Sequence, residues 1–191
     1  MSRQIWLIRH GETQWSKDGR HTSRTDLPLT AEGERRAQAL GKWLAGRPFA
    51  LVLASPMRRA LETCRLAGYS GEPTPDLAEW DYGSFEGLTT AQIQVDHPGW
   101  TIWNATPPGG ETAQQVGARV DRVIARAIAA SGVSGGDVAL FAHGHGLRVL
   151  AARWLGLDPE GGRLLELSTG SVSVLGYERD TRVVHLWNRT E

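Results

Sequence analysis

The sequence predicts an α/β fold: a three-layer αβα sandwich around a mostly parallel central sheet with an antiparallel edge. Three observations carry this. Short β-rich apolar runs at Gln4–Ile8, Phe49–Ala54 and Asp137–Ala142 are each followed by a segment of helical apolar spacing, the alternation that builds parallel sheets covered on both faces. Two alternating segments, 171–177 and 182–187, flank the turn residues Arg179-Asp180 and read as a hairpin. Finally, the chain of 191 residues has no internal repeat or low-complexity tract. That suits one domain over 1–191, large enough to bury about 70% of its unfolded surface without disulfide or metal support.

The first strand, 4–8, enters a glycine turn through Arg9-His10-Gly11, delivering polar side chains at the carboxyl end of a strand, where ligands bind in open α/β sheets. Thr30 is an N-cap for a helix over 31–45, in which Ala37, Leu40, Gly41 and Leu44 keep helical spacing and Gly46-Arg47-Pro48 is the stop. After the strand at 49–54, Ser55-Pro56 opens a second helix with Ser at the cap and Pro in the first turn. Met57, Ala60, Leu61 and Cys64 form its inward stripe, and Gly68 closes it. The stretch 69–111 is rich in Gly, Pro and Trp and reads as a rim or cap excursion, with one short strand and one helix near 89–95. A long amphipathic helix over 112–130 follows, carried by Val116, Val120, Val123, Ile124 and Ala127. The strand at 137–142 ends in His143-Gly144-His145-Gly146, and Leu147, Leu150, Ala151 and Trp154 mark the helix after it.

Composition excludes several classes of partner. The 21 basic and 21 acidic residues cancel, which argues against the electropositive face that nucleic acid requires. No apolar run approaches the roughly 20 residues of a membrane span. A single cysteine, Cys64, and a first apolar run interrupted by Arg9 predict a cytoplasmic protein without disulfides. Lys17 and Lys42 are the only lysines; most of the arginine excess reads as a compositional bias toward Arg and Ala, and a guanidinium clamp on an anion needs only two or three.

Chemistry concentrates in four places. A neutral imidazole is a good nucleophile at phosphorus, and in Arg9-His10-Gly11 the adjacent guanidinium both binds phosphate oxygens and resists imidazole protonation. His143-Gly144 repeats the arrangement at a second strand end, and the ends of neighbouring parallel strands converge. Arg58-Arg59 sits in the first turn of a helix, whose N-terminus attracts phosphate. Successive residues on a helix lie about 100° apart, so at most one of the two faces the site. The stretch Glu79-Trp80-Asp81-Tyr82-Gly83-Ser84-Phe85-Glu86 offers a proton for a leaving alkoxide, a carboxylic acid among aromatics being suited to donation near neutral pH. Spacing leaves the choice among Glu79, Asp81 and Glu86 open.

His10-x-Glu12 and His143-x-His145 have the look of metal-ligand pairs. There is, however, no His-Glu-x-x-His, Cys pair or Asp-rich loop, and two arginines beside a divalent cation are electrostatically costly. Phosphate-binding glycine loops are missing too. The expectation is therefore no metal and no cofactor.

Together these residues resemble the histidine phosphatase superfamily, the phosphoglycerate-mutase-like proteins. The resemblance runs over nearly the whole chain, through Leu7-Ile8-Arg9-His10-Gly11-Glu12-Thr13, Asp26-Leu27-Pro28-Leu29-Thr30-Ala31-Glu32-Gly33, Ser55-Pro56-Met57-Arg58-Arg59-Ala60-Leu61-Glu62-Thr63, Glu79-Trp80-Asp81-Tyr82-Gly83 and Phe141-Ala142-His143-Gly144. It implies that His10 takes the phosphoryl group, that His143 stabilises it in transfer, that Arg9 and Arg59 form the clamp, and that Glu79 is the proton donor. The family pattern Ser-x-x-x-Arg-Ala-x-x-Thr selects Arg59 over Arg58. Ser16, Arg20, His21 and Thr22, on the loop after the nucleophile, are expected to shape the substrate pocket, and a second phosphate on the substrate is expected to meet Arg20, Arg24 or Arg148.

Family mutases retain a bisphosphorylated intermediate with a basic insertion after the acid, whereas here no Lys or Arg occurs from Glu79 through Glu111. Trp80, Tyr82, Phe85, Trp100 and Trp103 are expected to supply aromatic walls instead, so that water enters and hydrolysis wins. Trp100-Thr101-Ile102-Trp103, Gly109-Gly110-Glu111-Thr112 and Phe141–Arg148 look most like the branch of sedoheptulose 1,7-bisphosphatases and related sugar phosphatases. The expected activity is metal-independent hydrolysis of a small-molecule phosphate ester, with sugar phosphates or bisphosphates preferred. The alternatives are a cofactor-dependent phosphoglycerate mutase and an inactive module that binds phosphorylated ligands. Neither nucleic acid nor membrane is an expected partner, and the oligomeric state stays open, with a homodimer as one candidate.

Overall fold

The computed structural model describes residues 3–190, apart from the side chains at 133 and 134. Its sheet has six strands in the order β3-β2-β4-β1-β5-β6: β1 (Ile5–Arg9), β2 (Phe49–Ala54), β3 (Glu72–Pro73), β4 (Asp137–Ala142), β5 (Val172–Glu178) and β6 (Thr181–Arg189). The pairs β1–β4, β2–β4 and β2–β3 are parallel, while β1–β5 and β5–β6 are antiparallel. This is the mixed sheet with an antiparallel edge that the alternation predicts.

Helices α2 (Ala31–Leu44) and α3 (Arg58–Leu66) cover one face, and α5 (Ala113–Ser134) and α6 (Gly144–Trp154) the other. Strand periodicity sorts the core between them. Trp6, Ile8, Ala139 and Phe141 pack with Leu40, Leu44 and Cys64, whereas Ile5, Leu7, Val138 and Leu140 pack with Val116, Val120, Leu147 and Leu150. Each strand residue thus alternates between two apolar layers, which accounts for the unbroken apolar runs in β1 and β4.

Helix ends follow local chemistry. Thr30 caps α2 by accepting from Gly33 N, and Thr112 caps α5 in a reciprocal box with Gln115. The second helix departs from expectation. It begins at Arg58 with Met57 at the cap position and no side-chain cap, because the Ser55 hydroxyl lies 2.7 Å from His143 Nε2 instead. Its inward stripe is Arg59, Ala60, Thr63 and Cys64, with Met57 and Leu61 only half-buried. Between 69 and 111 lie β3, two 3₁₀ turns (Pro75–Leu77 and Gly83–Phe85) and α4 (Thr90–Asp96). A four-residue helix, α1 (Gln14–Lys17), and a 3₁₀ segment, Pro159–Leu164, were too short to give a periodic signal. Among the described residues no helix is long and apolar enough to cross a membrane.

Candidate active site

Because β1 and β4 are parallel neighbours with Arg9 opposite Ala142, the next residue of each, His10 and His143, leaves the sheet at the same level. His10 N donates to Ala142 O at 2.9 Å, and the two imidazole centroids are 5.1 Å apart. His10 is 5% exposed. Its Nδ1 is 2.7 Å from Gly11 O, a carbonyl that can only accept, so Nδ1 carries the hydrogen and Nε2 keeps its lone pair. Burial, then the charges of Arg59 and Arg9, hold the His10 pKa well below its ordinary value, against the opposing pull of the Gly11 carbonyl. The result is a neutral ring with one bare nitrogen.

The loop after His10 needs its glycine. A Cβ on Gly11 would lie 2.7 Å from Gly33 O, and one on Gly33 would lie 2.3 Å from Glu12 O; this backbone contact seats the loop on the start of α2. Gly11 N also donates to Thr63 Oγ1 at 2.9 Å.

His143 is fully buried. Its Nδ1 accepts from Arg59 Nε at 3.2 Å, which leaves the hydrogen on Nε2, facing Ser55 Oγ. Arg59, likewise fully buried, spends its other donors on the carbonyls of Thr22, Ser23 and Thr25, at 3.0–3.2 Å. It ties the 22–25 loop to His143 from behind the cavity wall. Arg58 points away and pairs with Glu62 at 2.9 Å. Arg9 does reach the cavity. It donates to Leu167 O through Nη1 while its buried Nε has no partner among the described residues. A Cβ on Gly144 would crowd the Arg9 Cζ at 3.2 Å, so glycine there lets the guanidinium pass over the start of α6.

The three carboxylates separate by their partners. Asp81 is ion-paired with Arg24 and accepts from Gly83 N. Glu86 accepts from Ser23 and Thr25. Burial works to raise its pKa, but these bonds outweigh it and the net shift is downward, the wrong direction for a proton donor. Glu79 alone lines the cavity with His10. Its Oε1 accepts from Trp80 N at 2.9 Å and Gly146 N at 2.8 Å, and among the described residues its Oε2 accepts only from His145 N, at 3.1 Å.

The cavity, about 170 Å³, is also lined by Ser16, Arg20, His21 and Thr22, the four residues expected to shape a pocket, together with Tyr82, His145 and Arg148. A roomier cavity of about 570 Å³ lies at the other end of β1, near Gln4, Trp154 and Tyr177, away from both histidine strand ends. Of the expected aromatic walls only Tyr82 lines the site. Trp80, Phe85 and Trp100 are core residues packed with α5 and α6, since an indole or phenyl gains more by full burial than at a wet rim. Trp103 lies under the Arg148 guanidinium at 4.6 Å. Arg24, engaged with Asp81, is not at the cavity. His145, weighed from the sequence only as a metal ligand, touches the Tyr82 hydroxyl at 2.6 Å. The signal that could have found it was the second histidine of His143-Gly144-His145, on the first turn of α6. Among the described residues no three His, Cys, Asp or Glu side chains converge as a ligand set.

The buried imidazoles set a pH dependence of stability. His10, His143 and His145 are held well below the ordinary histidine pKa and His21 is lowered to about 4, in each case first by burial. Below the unfolded value of about 6.5 the unfolded chain therefore binds more protons, and stability falls with pH at about 1.4 kcal/mol per unit for each such group. Thermal melts at constant ionic strength should give a lower Tm at pH 5 than at pH 7; an unchanged Tm would contradict neutral, buried imidazoles.

A family model described as "Histidine phosphatase superfamily (branch 1)" matches residues 5–190. A Mycobacterium tuberculosis protein named acid phosphatase is 41% identical over 94% of the chain and 89% of its own length. A Saccharomyces cerevisiae protein named sedoheptulose 1,7-bisphosphatase is 35% identical over 92% of the chain and 75% of its length. A Mesorhizobium japonicum protein named 2,3-bisphosphoglycerate-dependent phosphoglycerate mutase is 32% identical, covering 96% of each. A solved structure of a Mycobacterium tuberculosis open reading frame superimposes with a TM-score of 0.92 at 39% identity, over 98% of the chain and 97% of that structure's chain.

Proposed function

The chain belongs to the histidine phosphatase superfamily, branch 1, and from that premise we propose that it hydrolyses small phosphate monoesters through a phosphohistidine on His10, without a metal. The observation that carries this reading is the neutral His10 ring, its Nδ1 tied to Gly11 O, sharing one cavity with Glu79 and Arg9.

In the first step His10 Nε2 attacks phosphorus, a P–N bond forms, the ester P–O bond breaks, and Glu79 passes a proton to the leaving oxygen. Oε2 is the oxygen suited to carry that proton, since it accepts one backbone bond where Oε1 accepts two. In the second step water attacks phosphorus, Glu79 takes its proton, and the P–N bond breaks to release inorganic phosphate. Arg9 binds the transferring oxygens directly, and the His143 Nε2–H exchanges Ser55 for one of them. Arg59 orients His143 and the 22–25 loop as the inner half of the clamp. Aligned donors of this kind are each worth about 3 kcal/mol of transition-state stabilisation.

The substrates we favour are sugar phosphates and bisphosphates. Arg20 and Arg148 at the cavity supply cations for a second anionic group, and a relative of similar length is named sedoheptulose 1,7-bisphosphatase. A mutase reading has one favourable observation, the name of another relative. Against it stands a 79–111 segment without Lys or Arg, which gives a displaced bisphosphorylated intermediate no cation from that side. Turnover of sugar monophosphates, sugar bisphosphates, phosphoglycerates and nucleotides in the presence of chelator tests the proposal. Release of inorganic phosphate, highest with a sugar ester, is expected. Bisphosphoglycerate-dependent interconversion of phosphoglycerates with negligible hydrolysis would establish the mutase, and phosphate-ester binding without turnover would indicate a binding module.

A further inference from the structure

The first turn of α6 carries a side chain that the chemistry above does not use. His145 lies in an aromatic nest, its ring centroid 5.3 Å from Trp103, 5.8 Å from Tyr82, 6.0 Å from His21 and 6.5 Å from Trp80. Tyr82 is 2% exposed, and its hydroxyl has one hydrogen-bond partner among the described residues, His145 Nδ1 at 2.6 Å. Burial pushes the phenol pKa well above its ordinary value, so the hydroxyl keeps its hydrogen. Burial first, then the charges of Arg148, His21 and Arg9, keep the imidazole neutral. With no other acceptor for its hydrogen among the described residues, the phenol donates to Nδ1, and the one hydrogen on the neutral ring is at Nε2. That nitrogen has no protein partner among the described residues and is not sealed off as the Arg9 Nε is. Both Tyr82 and His145 line the cavity that holds His10 and Glu79.

Position gives this donor its use. The backbone N–H of the same residue donates to Glu79 Oε2, the oxygen assigned above to the leaving-group proton. A group bonded to the His145 ring is thereby registered against the acid that protonates the ester oxygen. The neighbouring His21 is neutral as well, with Nε2 3.2 Å from Thr90 Oγ1. Alongside the Arg20 and Arg148 cations, the wall beside Glu79 thus also presents uncharged hydrogen-bonding groups fitted to hydroxyls.

We propose that His145 is a specificity-determining residue, its Nε2–H oriented by Tyr82 to bond a hydroxyl of the leaving alcohol, so that the site selects phosphate esters of polyols over those of simple alcohols. This rests on the phosphatase reading above. Its test compares glycerol 1-phosphate with propyl phosphate, esters of the same chain length that differ only in hydroxyl groups. The readout is the ratio of their kcat/KM values in the native protein, His145→Phe and Tyr82→Phe. A donor that bound substrate covers and leaves without a partner discriminates by about tenfold or more. The native ratio should therefore favour glycerol 1-phosphate, fall about tenfold in His145→Phe, and fall by about threefold or more in Tyr82→Phe, which leaves the ring but frees its tautomer. A purely structural role lowers both substrates together and leaves the ratio unmoved; that result, or a native ratio near unity, overturns the proposal while leaving the phosphatase standing. A native protein that turns over neither ester nor p-nitrophenyl phosphate overturns the phosphatase reading itself.

Discussion

Replacing His10 with alanine should lower kcat for every phosphate monoester by about 10⁵-fold or more, on the order of 7 kcal/mol. The loss is this large because the substitution removes the covalent route rather than one stabilising contact. His10 is the cavity imidazole whose second nitrogen is tied to a carbonyl, Gly11 O at 2.7 Å, which fixes its bare lone pair on Nε2. His145 is barred by the Tyr82 hydroxyl on Nδ1 and a hydrogen on Nε2, and His143 is turned to Ser55 and Arg59. His10→Ala should still fold, since the side chain belongs to neither apolar cluster, and should still bind inorganic phosphate through Arg9. Steady-state kinetics with an unchanged far-ultraviolet circular dichroism spectrum checks this; retained turnover would remove His10 from the mechanism.

The second large effect is expected at Glu79, and it depends on the leaving group. An alkoxide leaves poorly without a proton, whereas p-nitrophenolate leaves unaided, so Glu79→Gln should slow an alkyl or sugar phosphate by about 10²–10⁴-fold and p-nitrophenyl phosphate by about tenfold or less. Glutamine keeps an oxygen in the Oε1 position to accept from Trp80 N and Gly146 N and gives up the one bond from His145 N, so most of the positioning survives loss of the proton. Equal slowing of both substrates would show that Glu79 positions rather than donates. Asp81→Asn and Glu86→Gln, whose carboxylates are engaged by Arg24 and by the 23–25 loop, should not reproduce the leaving-group dependence.

Which parts of this arrangement were legible in the sequence follows from the range of the forces involved. Strand and helix order could be read because β1, β2 and β4 are short apolar runs sorted by period two into two layers, a pattern that local residues carry by themselves. The convergence of His10 and His143 could be read because it needs only two strands to be parallel neighbours. What escaped depends on contacts between distant segments. Ser55 looked like a helix cap, since Ser before Pro usually is one, but a buried imidazole 88 residues further on takes its hydroxyl and the helix starts without it. Arg59 could be chosen over Arg58 only by resemblance, and its bonds to three loop carbonyls have no local signature. The tryptophans of 80–103 suited a pocket wall by composition alone, yet their area is worth more in the core, where Trp80 and Trp100 are 1% and 5% exposed. His145 went unrecognised because its partner, Tyr82, lies 63 residues away.

The central claim is that His10 becomes phosphorylated, and rapid-quench labelling with a ³²P-phosphate ester tests it directly. Label that is lost in acid, stable in alkali and mapped by peptide analysis to His10 is expected, appearing before inorganic phosphate and absent from His10→Ala. Full turnover in the native protein with no phosphoenzyme trapped at any quench time, or label on a residue other than His10, would contradict it.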